Sequence, residues 1–348
     1  FIKAAVLSRI IKENNALEEV IIHTGQHFDT NMSKIFFDEM MIPEPTYNLE
    51  INSMSHAAMT GQMMEKIEKV LEIEKPDALI VYGDTNSTIA GALAAKKMNI
   101  KVVHIEAGLR SFNMKMPEEI NRILTDRISD LLSCPTETAI NNLKKEGFYN
   151  LPTLIEKHGD IMKDAVGYYS QFSEKKSSII SEEKLQKNKF VLATIHRQEN
   201  TDDEEKLRSI FIGLEEIHKT HPVVLPIHPR TKEVLNTLSI HPKIQMIEPV
   251  GYYDMLELLK NCSMVITDSG GLQKEAFFNK KQCIVVRDET EWVELVTNGF
   301  AKVVGSNTKM ILQTFDTYKD LKNDFSIDLY GTNVGEKIYQ SISQLIHS

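Results

Sequence analysis

The chain has 348 residues, enough for two domains with substantial cores. Hydrophobic residues make up 42% and charged residues 26%, as in ordinary globular proteins, and no apolar run reaches the ~20 residues of a membrane-spanning helix. A net charge of −9 excludes broad nucleic-acid binding, which needs basic surface, but leaves room for a phosphorylated ligand held by a helix N-terminus and local cations.

The chain opens on KAAVLSRII, which has helical spacing. An α/β domain of this kind ordinarily starts with a strand feeding its first helix. The expectation is therefore that this first strand is missing from the sequence. Apolar strand-like runs then recur at 20–23, 78–82, 101–105 and 131–134. After a break they continue at 190–195, 223–227, 244–247, 264–267, 283–286 and 301–304. Helical patterns separate them, as at 59–73, 204–218 and 253–261. Such alternation predicts right-handed βαβ units and parallel sheets. The polar stretch 170–188 reads as a solvated linker or surface helix and marks a domain boundary. The expected division is 1–165 together with a returning C-terminal helix, 333–348, against 166–332.

Cys134, Cys262 and Cys283 are widely spaced, odd in number and set in apolar runs. That predicts buried free thiols in a reducing compartment, with neither a disulfide framework nor a zinc site. No HExxH, CxxC or GxxxxGK[ST] pattern is present, so metal hydrolysis, thiol redox chemistry and P-loop phosphoryl transfer have no support. Neither does the sequence carry GxGxxG.

In parallel α/β sheets, ligands bind beyond the carboxyl ends of the strands. Two such ends carry acids here, Asp84 after 78–82 and Glu106 after 101–105, while Glu118 and Glu119 open the next helix. An isolated Asp84 would read as a helix cap. Three acids expected on one rim suggest proton transfer, with Arg110 and Arg122 expected to pair with some of them. Gln26 and His27 follow the run at 20–23 in the same way. In the second half, His196 and Arg197 end one strand and His228 ends the next. Asp268-Ser269-Gly270-Gly271 joins a strand to a helical pattern. That is either a plain capped βα turn or a backbone cradle for phosphate. Glu275, one turn further on, is either a solvated helix residue or a ribose contact.

Taken together, these residues resemble the non-hydrolysing UDP-N-acetylglucosamine 2-epimerases. The resemblance rests on TGQHFD (24–29), YGDTNST (82–88), HIEAGLRS (104–111), MPEEINR (116–122), TIHRQEN (194–200), PIHPR (226–230), DSGGLQKEA (268–276) and RDETEW (287–292). It implies a GT-B-like architecture, two Rossmann-type domains with the active site between them. It implies inversion at C2 of a UDP-sugar with no metal or nicotinamide cofactor. It also implies a cytoplasmic homodimer with a UDP-sugar as its partner, and no nucleic acid or membrane. Carried over by motif, Asp84, Glu106 and Glu118 match catalytic carboxylates, and His196 an active-site histidine. Ser269, Gly270 and Gly271 match diphosphate contacts and Glu275 the ribose contact. Lys3, Gln26, His27, Arg110, Arg122, Arg197, His228, Arg287 and Glu291 complete the expected binding set.

Trp292-Val293 stands where many members have Arg-Pro. Members regulated by their own substrate carry a second Gln and an Arg where this chain has Asp29 and a residue near Ser55. With the segment SFNMKMPEEINRILTD, these two departures look more like the subgroup acting on UDP-2,3-diacetamido-2,3-dideoxyglucuronate. Lys115 is a candidate for that sugar's carboxylate. Other readings left open are a hydrolysing epimerase, a GT-B glycosyltransferase and an inactive UDP-sugar-binding fragment.

Overall fold

The computed structural model describes residues 1–25, 39–40 and 42–347. Gln26, His27 and Asp29 lie outside them. Two units are present, Phe1–Ala165 with Asp328–Ser348, and Val166–Ile327.

The first unit begins with the helix Ile2–Asn14 and contains six described strands. β1 (Ile22–His23) and β2 (Tyr47–Asn48) pair in parallel as one short sheet. β3 (Ala78–Tyr82), β4 (Lys101–Ile105), β5 (Leu131–Cys134) and β6 (Leu154–Lys157) form a second, in sequential order and wholly parallel. Apolar runs without alternation mark strands covered on both faces, and β5 is buried throughout. β3 is only half-buried along most of its length. A cavity of about 690 Å³ is lined by residues of both sheets, among them Ile22, Leu79 and Val81. The helix Asn86–Lys97 follows β3 directly. It starts in a capping box, with Thr85 and Thr88 each serving the other's backbone. The closing helix, Val334–His347, returns to pack on Ile2–Asn14 within this unit.

The second unit is one six-stranded parallel sheet in the order β12-β11-β10-β7-β8-β9. Its strands are β7 (Val191–Thr194), β8 (Val223–Pro226), β9 (Gln245–Ile247), β10 (Met264–Thr267), β11 (Cys283–Val285) and β12 (Ala301–Val303). The order reverses between β7 and β10, which opens a crevice beyond their carboxyl ends. Val191, Ala193, Leu225, Ile266 and Ile284 build the core with Leu207, Phe211 and Leu214 of the helix Glu204–His218. All three cysteines are free and buried, and burial pushes the Cys262 thiol up to about 12.

The stretch 170–188 follows the helical one of its two readings: the helix Ile161–Lys176 runs into it and a short helix, Ile179–Glu182, follows, with most of the stretch exposed. β2 and β6 lie outside the expected strands. Among the described residues, no helix is long and apolar enough to cross a membrane.

Candidate active site

In the first unit, β3 and β4 are adjacent parallel strands with Tyr82 opposite Ile105. Asp84 and Glu106 therefore leave the same edge of the sheet. Glu106 has a φ of 74°, a left-handed conformation that a non-glycine residue adopts at a cost. Its carboxylate is met by the Lys3 ammonium at 2.5 Å, with side chains only 11% and 24% exposed. A Cβ placed on Gly83 would lie 3.5 Å from Lys3 Nζ and 3.8 Å from Glu106 Oε1. The ion pair thus sits against the turn that presents Asp84.

The helix Pro117–Ile128 supplies the third side of this edge. Arg122 donates to Asp84 Oδ2 through Nε (3.2 Å) and Nη2, and to Glu119 Oε2 through Nη1 (2.6 Å). Asn121 donates to the Asp84 carbonyl at 3.0 Å and to Asn86 Oδ1 at 3.3 Å. Glu118 is half-buried and lies three and four residues before Asn121 and Arg122, so all three share one helix face. The neighbouring glutamates divide the work. Glu119 is fully buried and accepts from the Ser111 and Phe112 amides at 3.0 and 2.9 Å, shaping the loop before the helix.

Arg122 pairs with the acids as expected, whereas Arg110 does not. The Arg110 side chain is fully buried and binds Asp126 (2.7 Å) and both oxygens of Glu146 (2.7 and 2.8 Å). Burial disfavours its charge, but Glu146 and Asp126 outweigh this and hold its pKa above the ordinary value. Lys115 is exposed, with its amide turned to Asn113 Oδ1 at 3.1 Å.

In the second unit the strand ends carry different chemistry. Asp268 is fully buried after β10 and works as a hub. It accepts from the His196 amide (3.0 Å), the Arg197 amide (3.0 Å) and the Asn200 side chain (3.1 Å). His196 Nδ1 lies 3.4 Å from Asp268 Oδ1, and the His196 ring stacks on His228 at 5.7 Å. Burial lowers the pKa of His196, with Asp268 opposing and Arg197 and His228 assisting. His228 caps the helix Pro229–Thr237, its Nδ1 accepting from the Arg230 amide at 3.2 Å. That leaves Nε2 as its protonated nitrogen when the ring is neutral.

Ser269 caps the helix Gly270–Phe278 by accepting from the Leu272 amide. A Cβ on Gly270 would fall 2.3 Å from Glu291 Oε1, so only glycine permits this approach. Glu291 is fixed in turn by Arg287 at 2.9 Å, and Glu199 takes Arg287 from its other side at 3.1 Å. Glu275 is only 7% exposed, so it is not a solvated helix residue; with burial, its charge pushes the Tyr252 hydroxyl well up. Trp292 is buried under the Lys274 ammonium, 3.8 Å from the ring centre. Among the described residues, no group of three histidines, cysteines or acids is placed to hold a metal.

Comparison with known proteins gives this arrangement its family. The model for UDP-N-acetylglucosamine 2-epimerase matches residues 9–343. The chain is 52% identical to the UDP-2,3-diacetamido-2,3-dideoxy-D-glucuronate 2-epimerase of Pseudomonas aeruginosa over 318 residues, covering 91% of this chain and 88% of that protein. It is 47% identical to a UDP-N-acetylglucosamine 2-epimerase homolog of Methanococcus maripaludis, covering 99% and 97%. Among solved structures, that of the Methanocaldococcus jannaschii UDP-GlcNAc 2-epimerase with UDP-GlcNAc and UDP matches with a TM-score of 0.92 at 41% identity, covering 99% of this chain and 96% of that one. The two Rossmann-like units are those of a GT-B-like protein. Family model, relatives and fold agree over nearly the whole chain, which belongs to the UDP-N-acetylglucosamine 2-epimerase family.

Proposed function

We propose that this protein inverts C2 of a UDP-2-acetamido sugar, supplying a precursor for surface polysaccharide. The observation that carries this reading is the acid edge of the first unit, intact in a chain matched to the epimerase family over residues 9–343. A carboxylate from Asp84, Glu106 or Glu118 takes the C2 proton. The C1–O bond to the β-phosphate breaks, its electron pair leaves with UDP, and a 2-acetamidoglucal remains. The UDP oxygen then returns to C1, and a proton is delivered to C2 from the opposite face. Atoms and charge balance without an external oxidant or metal. Lys3 and Arg122 fix two of the three carboxylates, which limits the positions from which they can act.

The diphosphate sits on Ser269, Gly270 and Gly271, where a helix N-terminus offers backbone donors and a positive dipole end. Arg197, His196 and His228 stand at the neighbouring strand ends, and Glu275 receives the ribose hydroxyls. In this reading UDP is held by the second unit and the reacting sugar is met by the acid edge of the first. The active form is a cytoplasmic homodimer, which light scattering would show as twice the chain mass.

For the sugar, the 52% identity to the diacetamido-glucuronate enzyme favours that substrate over UDP-GlcNAc. Incubation with each in D2O decides. Deuterium at C2 of one sugar alone assigns the substrate; no deuterium in either overturns the proton-transfer reading. UDP accumulating with turnover instead marks a hydrolysing enzyme.

A further inference from the structure

Behind the acid edge lies a buried polar cluster. His104, within β4, and Asp126, on the helix Pro117–Ile128, are both fully buried. His104 Nδ1 is 2.7 Å from Asp126 Oδ1, and Nε2 is 2.7 Å from the Gly83 carbonyl. Asp126 also accepts from the Gly108 amide (3.1 Å) and from Arg110 (2.7 Å). Arg110 continues to the Leu109 carbonyl (2.6 Å) and to Glu146.

The contacts fall on three particular segments. Gly83 immediately precedes Asp84. Gly108 and Leu109 follow Glu106 in one short loop. Asp126 is two turns beyond Glu118 on the same helix. One imidazole and one carboxylate therefore tie together the backbones that present all three candidate catalytic acids. Both partners of His104 can only accept: one is a carbonyl, and the other is a carboxylate already surrounded by donors. Both ring nitrogens thus face acceptors, while Arg110 faces Asp126 and Glu146. A cluster of this kind resists movement, because shifting His104, Asp126 or Arg110 leaves a buried polar group without its partner.

We propose that His104 and Asp126 are positioning residues for the epimerisation, an imidazole hydrogen-bonded at both nitrogens and its carboxylate setting the spacing of Asp84, Glu106 and Glu118. This rests on the proposed function for its catalytic meaning. The bland alternative is a brace that only adds stability to the sheet, and the two differ in what they predict for turnover. Loss of the brace lets the acids drift, and misplacement by about 1 Å costs on the order of 10²-fold in rate. UDP affinity stays put, since its contacts lie on the other unit.

The test uses the full chain carrying His104→Gln or Asp126→Asn. Turnover, UDP binding by calorimetry and thermal unfolding are measured on each. The expected result is a kcat reduced about 10²-fold with a UDP Kd changed by less than about twofold in protein that remains folded. A folded variant that keeps its kcat within about threefold overturns positioning. Nitrogen-15 NMR of His104 in the unsubstituted protein at neutral pH is a separate readout, needing neither turnover nor a folded variant. Hydrogen bonds at both ring nitrogens are expected, and one nitrogen without a hydrogen bond overturns the brace as drawn. If the unsubstituted protein exchanges no C2 proton, the proposed function fails while the NMR result still decides the geometry.

Discussion

The two units use one architectural idea for opposite chemistry. Each sets polar residues at the carboxyl ends of parallel strands, where side chains leave the sheet together. In the first unit those ends carry acids, with Lys3 and Arg122 laid against them. In the second they carry histidines and amides gathered around Asp268, beside a helix N-terminus whose glycine leaves no room for a methyl group. The lesson is a separation of tasks: topology supplies the location, and in the proposed reading the residue after each strand decides between moving a proton and holding an anion.

That separation can be broken experimentally. The largest effect is expected from Glu106→Gln, which keeps shape and removes one of the three proposed proton-handling carboxylates. Its kcat should fall about 10³-fold while UDP affinity stays unchanged in calorimetry. Loss of UDP affinity as well would mean that the acid edge also holds the nucleotide. Asp268→Ala should act the other way round. It removes the acceptor of two backbone amides and of one of the two hydrogen bonds made by the Asn200 amide, costing about 3 kcal/mol in urea unfolding and weakening UDP binding.

Gly270→Ala comes next. The added carbon meets Glu291 Oε1, so Glu291 and Arg287 must move or the helix start must shift, at about 2 kcal/mol. UDP titration should show weaker binding with C2 exchange at saturation nearly preserved.

The smallest effect concerns pH. Burial holds His196 below its ordinary value of 6.5. As pH falls below 6.5, the unfolded chain takes up the proton first, so stability is lost on acidification through that window and regained above it. His196→Gln should flatten this part of a plot of melting temperature against pH. An unchanged slope would assign it to other groups.

Much of the scaffold was legible because its strands are continuous apolar runs, several of them covered on both faces. Ala78–Tyr82, Lys101–Ile105, Leu131–Cys134 and Met264–Thr267 coincide with their apolar runs, and other strands differ by a residue or two at their ends. β6 escaped notice because two of its four residues are charged and none is fully buried, so no apolar run marks it. β2 has only two residues, too few for any period to register. The acids at strand ends could be found from position alone. The partners of Arg110 could not, since Asp126 and Glu146 lie 16 and 36 residues further on and only the fold brings them close. His104 was hidden for a related reason: inside an apolar strand it reads as an ordinary core position, and its meaning comes from a helix 22 residues away.

The left-handed backbone at Glu106 has an evolutionary consequence. Random substitution by glycine there would relieve the chain locally while abolishing the carboxylate, so folding and turnover would select in opposite directions. A lineage that kept the fold but no longer needed the reaction should lose this glutamate early, and glycine should be a frequent replacement. With Glu106 in its proposed role, the position becomes a marker for separating working enzymes from descendants that retain only the scaffold.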